Sequence, residues 1–245
     1  MDTTSRGTSL TSLTSLTSTT PLTSQFPFAR LSTVNLDFAR PDPALVASVA
    51  ALPVATLHEA AGKIGALPAA IKPMAPSFRV CGPALTVDAP PADNLWLHRA
   101  LALASPGDVL VVRVAGHYDA GYWGEVMSTM GRARKLGGLV IDGCVRDGAI
   151  LERFGFPVFA RGLCIRGTGK DFDARGWIGY PVRIEDIVIA PGDVVVGDAD
   201  GVVALPQGSL EAVVSHAHER EAKEADIIRR LEAGEASLDI YGWNR

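Results

Sequence analysis

Apolar and polar positions along this chain follow two periods, and they switch between them. From Arg79 to Ala89 the run RVCGPALTVDA alternates in steps of two and predicts a strand. Within DVLVVRVA (108–115) the run from Val109 to Val112, like Leu139-Val140-Ile141, is apolar without a break, as strands covered on both faces are. PVFARGL (157–163) predicts a further strand. Pro181-Val182 and the run from Ile187 to Pro206 predict short strands joined by turns at Pro191-Gly192 and Asp200-Gly201. Helical stretches lie between these. Pro41-Asp42-Pro43 marks a turn before a helix at 43–51, and Thr56 is the expected N-cap of a helix at 57–63, with Glu59 in the capping-box position. LPAAIKPMAP (67–76) holds three prolines and predicts a loop. Asp93 is placed to cap a helix at 94–104. Further helices are expected at 125–136 and 148–154. A long amphipathic helix is expected within 206–234, stopped by Gly234.

Helices and strands alternate early, and the later part is rich in strands. The pattern predicts an α/β protein with strands in more than one sheet. Several connections are too short to carry crossover helices, which argues against a simple doubly wound fold. At 245 residues the chain is long enough for one sizeable domain, expected over 26–245. Residues 1–25 are different. The segment TSLTSLTSLTSTTPLTS (8–24) lacks Asp, Glu, Lys and Arg, and it buries too little apolar surface to offset chain entropy. It predicts a disordered tail. A lone Arg6 with no continuous apolar stretch after it does not make a signal peptide.

Composition narrows the picture. Hydrophobic residues make up 47% and charged residues 20%, as in ordinary globular proteins. The net charge of −4 offers no basic footprint for nucleic acid, and no apolar run reaches membrane-spanning length. Cys81, Cys144 and Cys164 are an odd, scattered set; they predict buried, reduced thiols in a cytoplasmic protein.

The chemistry is concentrated in WGEVMSTMGRARKLGGLVIDGCVRD (123–147). The turn Tyr122-Trp123-Gly124 opens a helix at Glu125. A strand then ends at Asp142-Gly143 and delivers Arg146 and Asp147. A helix start and a strand end lie side by side in α/β folds, so Glu125 and Asp147 are candidates for one pocket. Two carboxylates and a guanidinium suit a hard divalent cation and an anionic substrate. The plainer alternative is a surface ion pair. Asp147 is equally a helix N-cap, and Arg146 is equally a partner for Asp142 or Asp147. The amides of Glu125, Val126 and Met127, following Gly124, form a helix start suited to a carboxylate, and the plainer alternative is an ordinary glycine turn. His117 either lines the pocket mouth or is structural. His216 and His218 point to different helix faces and make a poor metal pair. Asp198 and Asp200 read as turn residues. Gly169-Lys170 is no phosphate loop, because Asp171 stands where Ser or Thr is needed and Cys164 where the first glycine is needed.

From about Leu52 onward the chain resembles the RraA-like family, and within it the class II pyruvate aldolases that cleave 4-hydroxy-4-methyl-2-oxoglutarate and 4-carboxy-4-hydroxy-2-oxoadipate. The segments that carry the resemblance are ATLHEAAGKIGALPAAIKPM, RVCGPALTV, GYWGEVM, GGLVIDGCVRD, FPVFARG, IRGTGK, PGDVVVGDADGVVALP and AKEADIIRRLEAGEASLDIYG, in the family's order. The resemblance implies an α-β-β-α sandwich of the swivelling phosphohistidine type, assembled as a homo-trimer or homo-hexamer. It implies a magnesium- or manganese-dependent carbon–carbon lyase acting on a small 2-oxo acid, with oxaloacetate decarboxylation alongside. It makes Asp147 the direct metal ligand and Arg146 the donor to the keto oxygen. Gly124, Glu125, Val126 and Met127 then bind the substrate carboxylate. Glu125 stands where an acid, commonly Asp, holds a metal-bound water; the longer side chain either reaches the metal or resets that water. Glu224 matches an acid that serves a neighbouring subunit's site. Arg166, Thr168 and Lys170 match a family segment lying either at a subunit interface or near the distal carboxylate. Ile150 stands where some members carry an acid. The same family holds regulators that bind a ribonuclease, and a fold-mate recruited to another keto-acid reaction is a third reading.

Overall fold

The computed structural model describes residues 26–244, and the segment read above as a disordered tail lies outside them. The helices are α1 (Pro43–Ala50), α2 (Val54–Ala60), α3 (Leu95–Leu103), α4 (Glu125–Ala133), α5 (Gly148–Phe154), α6 (Leu210–Glu232) and α7 (Ser237–Ile240). The main sheet contains β1 (Lys72–Pro73), β2 (Val80–Asp88), β3 (Val109–Arg113), β4 (Gly138–Asp142), β6 (Val158–Ala160), β8 (Trp177–Ile178), β11 (Val194–Asp198) and β12 (Gly201–Leu205). Two small ribbons pair β5 (Cys144–Val145) with β7 (Gly162–Leu163), and β9 (Val182–Ile184) with β10 (Ile187–Ile189).

The main sheet runs β1-β6-β4-β3-β2-β11-β12. Strands β2, β3, β4 and β6 are parallel. Their crossovers carry α3, α4 and α5, as parallel pairing requires. The remaining pairings of this sheet are antiparallel, and among them a short turn joins β11 to β12. Strand β2 is long because its two halves take different neighbours: Val80–Pro83 pair with β11, and Val87–Asp88 pair with β8. The fold is thus mixed α/β, as expected, with three crossover helices on its parallel half.

The sheet curls until its ends nearly meet. The Ala204 amide donates to the Gly65 carbonyl at 2.9 Å, and the Leu67 amide to the Val202 carbonyl at 2.9 Å. Inside the curl Phe159 of β6 reaches β11, four strands away, where a Cβ on Gly197 would stand 2.9 Å from its ring. The parallel strands are buried on both faces, so Val109 to Val112 form an unbroken apolar run. A second core lies between α1, α2, α6 and the β11–β12 hairpin, built from Val49, Leu57, Val194, Val203 and Leu210. Burying each such side chain contributes about 1.5–3 kcal/mol. Cys81 packs against this core, and burial pushes its thiol up to about 12. All three cysteines are free.

Three elements differ from the sequence expectation. Helix α2 starts at Val54, two residues before Thr56, because the Val54 amide is capped by Asp198 Oδ2 at 3.1 Å. Glu59 makes no capping box; it faces Lys63 and Arg220, each at 3.6 Å. Helix α4 ends at Ala133, before Lys135 takes a positive φ of 59°. The proline-rich loop also contributes β1 to the sheet edge. A strap preceding α1 crosses the sheet end: the Asn35 amide donates to the Ile178 carbonyl, the Tyr180 hydroxyl to the Ser32 carbonyl, and Arg40 makes two bonds of 2.7 and 2.9 Å to the buried Asp108. No single helix among the described residues is long and apolar enough to cross a membrane.

Candidate active site

The chain leaving β3 runs beside the chain leaving β4. The Tyr122 amide donates to the Cys144 carbonyl at 3.0 Å, and the Arg146 amide to the Trp123 carbonyl at 2.8 Å. These bonds fix the start of α4 against Arg146-Asp147. Two glycines make the approach possible. A Cβ on Gly121 would overlap the Cys164 carbonyl, and one on Gly124 would overlap Asp147 Oδ2. Tyr122 and Trp123 anchor the segment from inside. The Tyr122 hydroxyl accepts from the Ala92 amide and donates to the His117 carbonyl. The Trp123 ring nitrogen donates to Ser128 Oγ, and the ring stacks on Phe156.

Asp147 has φ 62°, in the left-handed region. This turns its carboxylate back onto α4, where Oδ2 accepts the Glu125 amide at 3.0 Å. Arg146 Nε lies 3.9 Å from the same oxygen, and both side chains remain partly exposed. The first helical bond of α4 is Ser128 N–H to Gly124 C=O, so the amides of Val126 and Met127 precede the ladder and carry the positive end of the helix. Together these groups form one wall of a cleft of about 250 Å³.

A second wall comes from Asn94 and His98 of the α3 segment and from Gly167, Thr168 and Lys170. Asp93, only 4% exposed, ties the two parts of this wall together. Its Oδ1 accepts the Leu95 amide at 2.8 Å at the start of α3, and its Oδ2 accepts the Asp171 amide at 2.6 Å. Burial lowers the His98 pKa from the ordinary 6.5, and the nearby Lys170 charge lowers it further, so both favour the neutral ring.

The structure brings Arg146, Asp147, Gly124, Val126 and Met127 to one cleft. Glu125 is placed differently from the expectation. Its amide is taken by Asp147, and its side chain is exposed and does not line the cleft. Glu224 is on α6, paired with Arg220 at 2.9 Å, and does not line the cleft of its own chain. Thr168 and Lys170 line it, whereas Arg166 pairs with Asp119 on the surface. His117 contributes its carbonyl rather than its ring. Asp198 and Asp200 form a turn, as expected, and Asp198 also caps α2. Asn94 and His98 were not legible as site residues. Their i, i+4 spacing, from the N-cap into a mostly apolar helix, was the available signal.

Among the described residues no three His, Cys, Asp or Glu side chains cluster as a metal cage. A magnesium ion does not need one. It accepts a single carboxylate and keeps its waters, and Asp147 offers a hard oxygen, Oδ1, with no other donor bonded to it among the described residues. The donor set fits a water-rich ion held at Asp147.

Fold and cleft together define an α/β protein whose cleft sets a helix start beside an Arg-Asp pair. The chain belongs to the RraA-like family: the family model described as Aldolase/RraA matches residues 54–204. A Halalkalibacterium halodurans protein with the provisional name 4-hydroxy-4-methyl-2-oxoglutarate aldolase is 32% identical over 190 residues, covering 78% of this chain and 90% of the relative. The solved structure of an uncharacterized protein from Pseudomonas syringae is 28% identical. It has a TM-score of 0.69 over 81% of this chain and 97% of its own. A Streptomyces coelicolor structure, described as an unusual member of the RNase ES inhibitor RraA protein family, is 26% identical. Its TM-score is 0.67, over 77% of this chain and 97% of its own.

Proposed function

We propose that this chain is a divalent-metal-dependent carbon–carbon lyase that splits a 4-hydroxy-2-oxo acid to give pyruvate, with oxaloacetate decarboxylation as a side activity. One observation carries the reading: Arg146, Asp147 and the start of α4 meet in a single cleft, facing Thr168 and Lys170. The relative provisionally named as an aldolase supports it. Magnesium or manganese held at Asp147 would supply Lewis-acid stabilisation of an enolate oxygen. A neighbouring subunit's Glu224 is assigned to orient waters there.

The amides of Val126 and Met127 hold the carboxylate beside the keto group. Arg146 donates to the keto oxygen and stabilises the charge that develops on it. The 4-hydroxyl proton leaves to water, C4 becomes a carbonyl, and the C3–C4 electron pair moves into the enolate. A water then protonates C3 and pyruvate is formed. Oxaloacetate reaches the same enolate by losing carbon dioxide. Lys170 and Thr168 face the far end of the substrate, where they hold a second carboxylate.

The test is pyruvate release, coupled to lactate dehydrogenase, from 4-hydroxy-4-methyl-2-oxoglutarate and from oxaloacetate, each with magnesium and with chelator. Metal-dependent release from the first is expected, and Asp147→Ala is expected to lower it at least about 100-fold. Silence on both substrates overturns the reading. The reading also places the protein in the cytoplasm, where free thiols stay reduced, as a homo-trimer or homo-hexamer. Exposed Ile228, Leu231, Leu238, Tyr241 and Trp243 supply apolar surface for assembly. Light scattering at the mass of one chain would remove Glu224 from the site. A second reading, a regulator that binds a ribonuclease, rests on the Streptomyces relative. Recovery of no ribonuclease in a pull-down from cell extract would remove it.

A further inference from the structure

Asn94 occupies the N-cap position of α3, where an asparagine side chain ordinarily accepts a bond from the helix's own first amides. Here it does not. The neighbouring Asp93 takes the Leu95 amide instead. The Asn94 side chain is turned into the cleft and pinned there. Its Nδ2 donates to the Tyr122 carbonyl at 2.9 Å and contacts Met127 Sδ at 3.6 Å. Because the Tyr122 carbonyl can only accept, the amide orientation is settled, and Oδ1 is the atom that faces away. Asn94 is 7% exposed, and its Oδ1 has no hydrogen-bond partner in the protein. A buried acceptor without a donor is unfavourable, and in a native fold it marks a group kept for something else.

The other polar groups of the cleft are mostly donors. Arg146, Lys170 and the amides of Val126 and Met127 all suit anionic oxygens. A carboxylate has no proton to give, so it satisfies these groups and leaves Asn94 Oδ1 unmet. A hydroxyl has that proton.

We propose that Asn94 Oδ1 reads the hydroxyl of a hydroxylated dicarboxylate, selecting it over the analogue without the hydroxyl. This rests on the lyase reading for its substrate class. It goes beyond that reading in assigning the hydroxyl a dedicated acceptor, on a residue outside the Arg-Asp segment. The bond aligns the O–H whose proton must leave when C3–C4 breaks. Asn94 is not a base; it positions and selects. A site built to bond a substrate hydroxyl discriminates because the analogue lacking it leaves the buried acceptor unpaired.

Two inert probes that differ by one hydroxyl test this. Binding of malate and of succinate to the full chain, in magnesium buffer, is measured by titration calorimetry for the wild type, Asn94→Ala and Asn94→Ser. The serine hydroxyl can still donate towards the Tyr122 carbonyl, so this variant serves where the alanine variant does not fold, as judged by thermal melting. The wild type is expected to prefer malate by about tenfold or more, and the variants to bring the ratio of the two dissociation constants close to one. Equal binding of the two probes by the wild type, binding of neither, or a ratio unchanged in a folded variant would overturn the proposal. The pyruvate assay is read separately. Discrimination by the wild type, lost in the variants, without pyruvate release would overturn the lyase reading and leave the role of Asn94 standing.

Discussion

Asp147 stands at a crowded junction, with a left-handed backbone, a carboxylate folded back onto the Glu125 amide, and Gly124 directly beneath it. Gly124→Ala puts a methyl group where Oδ2 now sits. The fold tolerates it, because the Gly124 φ of −162° is extended backbone that any residue adopts. The carboxylate must move, however, and a displacement of about 1 Å costs on the order of 100-fold in turnover. Steady-state kinetics with an unchanged melting curve would identify this cause. His98 is a second test at this scale. Its folded pKa is lowered, so the unfolded chain binds the proton more tightly. Its contribution to stability is therefore present above the ordinary value of 6.5 and is lost as pH falls through 6.5 towards the folded value. Ring-proton NMR should give a midpoint below 6.5, and Lys170→Met should raise it by removing the nearby charge. The Arg146-Asp147 pair was legible in the sequence because its chemistry lies in adjacent letters. Asn94 and His98 were not, because their roles depend on Tyr122 and Lys170, which only the folded backbone brings near.

Local pattern carried most of the elements, with a consistent limit. The apolar runs located β2, β3, β4 and β6, and caps or glycines located the long helices. What failed was set by distant partners. The start of α2 is decided by Asp198, 144 residues away, against a plausible local cap at Thr56. The strand β1 exists because β6 offers it an edge. The strap before α1 carries no periodicity and was invisible as an element. It is held by single bonds to β8 and by the forked pair between Arg40 and Asp108. Asp108 is fully buried and Arg40 is not, so Arg40→Ala leaves a buried carboxylate partly unmatched. The Ser105 amide still bonds it. A loss of about 2 kcal/mol is expected in the free energy from denaturant unfolding, below the cost of breaking a wholly buried pair. Pyruvate release should be spared, since neither residue lines the cleft.

The whole molecule divides its labour. The antiparallel end, with α1, α2 and α6, supplies a second core and closes the sheet, while the cleft is built from segments beyond β3 and β4 and from α3. The closure depends on a narrow seam where residues 65–67 lie along β12. Gly65 has φ +82°, and a Cβ there would overlap the Ala204 carbonyl. Gly65→Ala should cost about 1–3 kcal/mol by strain at a position that only glycine fits. The seam has a meaning beyond stability. An open sheet ends in a row of unpaired amides and carbonyls that another chain can extend, and here that row on β12 is covered by the chain's own residues 65–67. If the seam parts before the cores melt, β12 becomes a template for intermolecular growth. Turbidity on slow heating should therefore rise ahead of the loss of helix signal in Gly65→Ala and together with it in the wild type. A few backbone bonds at the seam would then set how this protein aggregates.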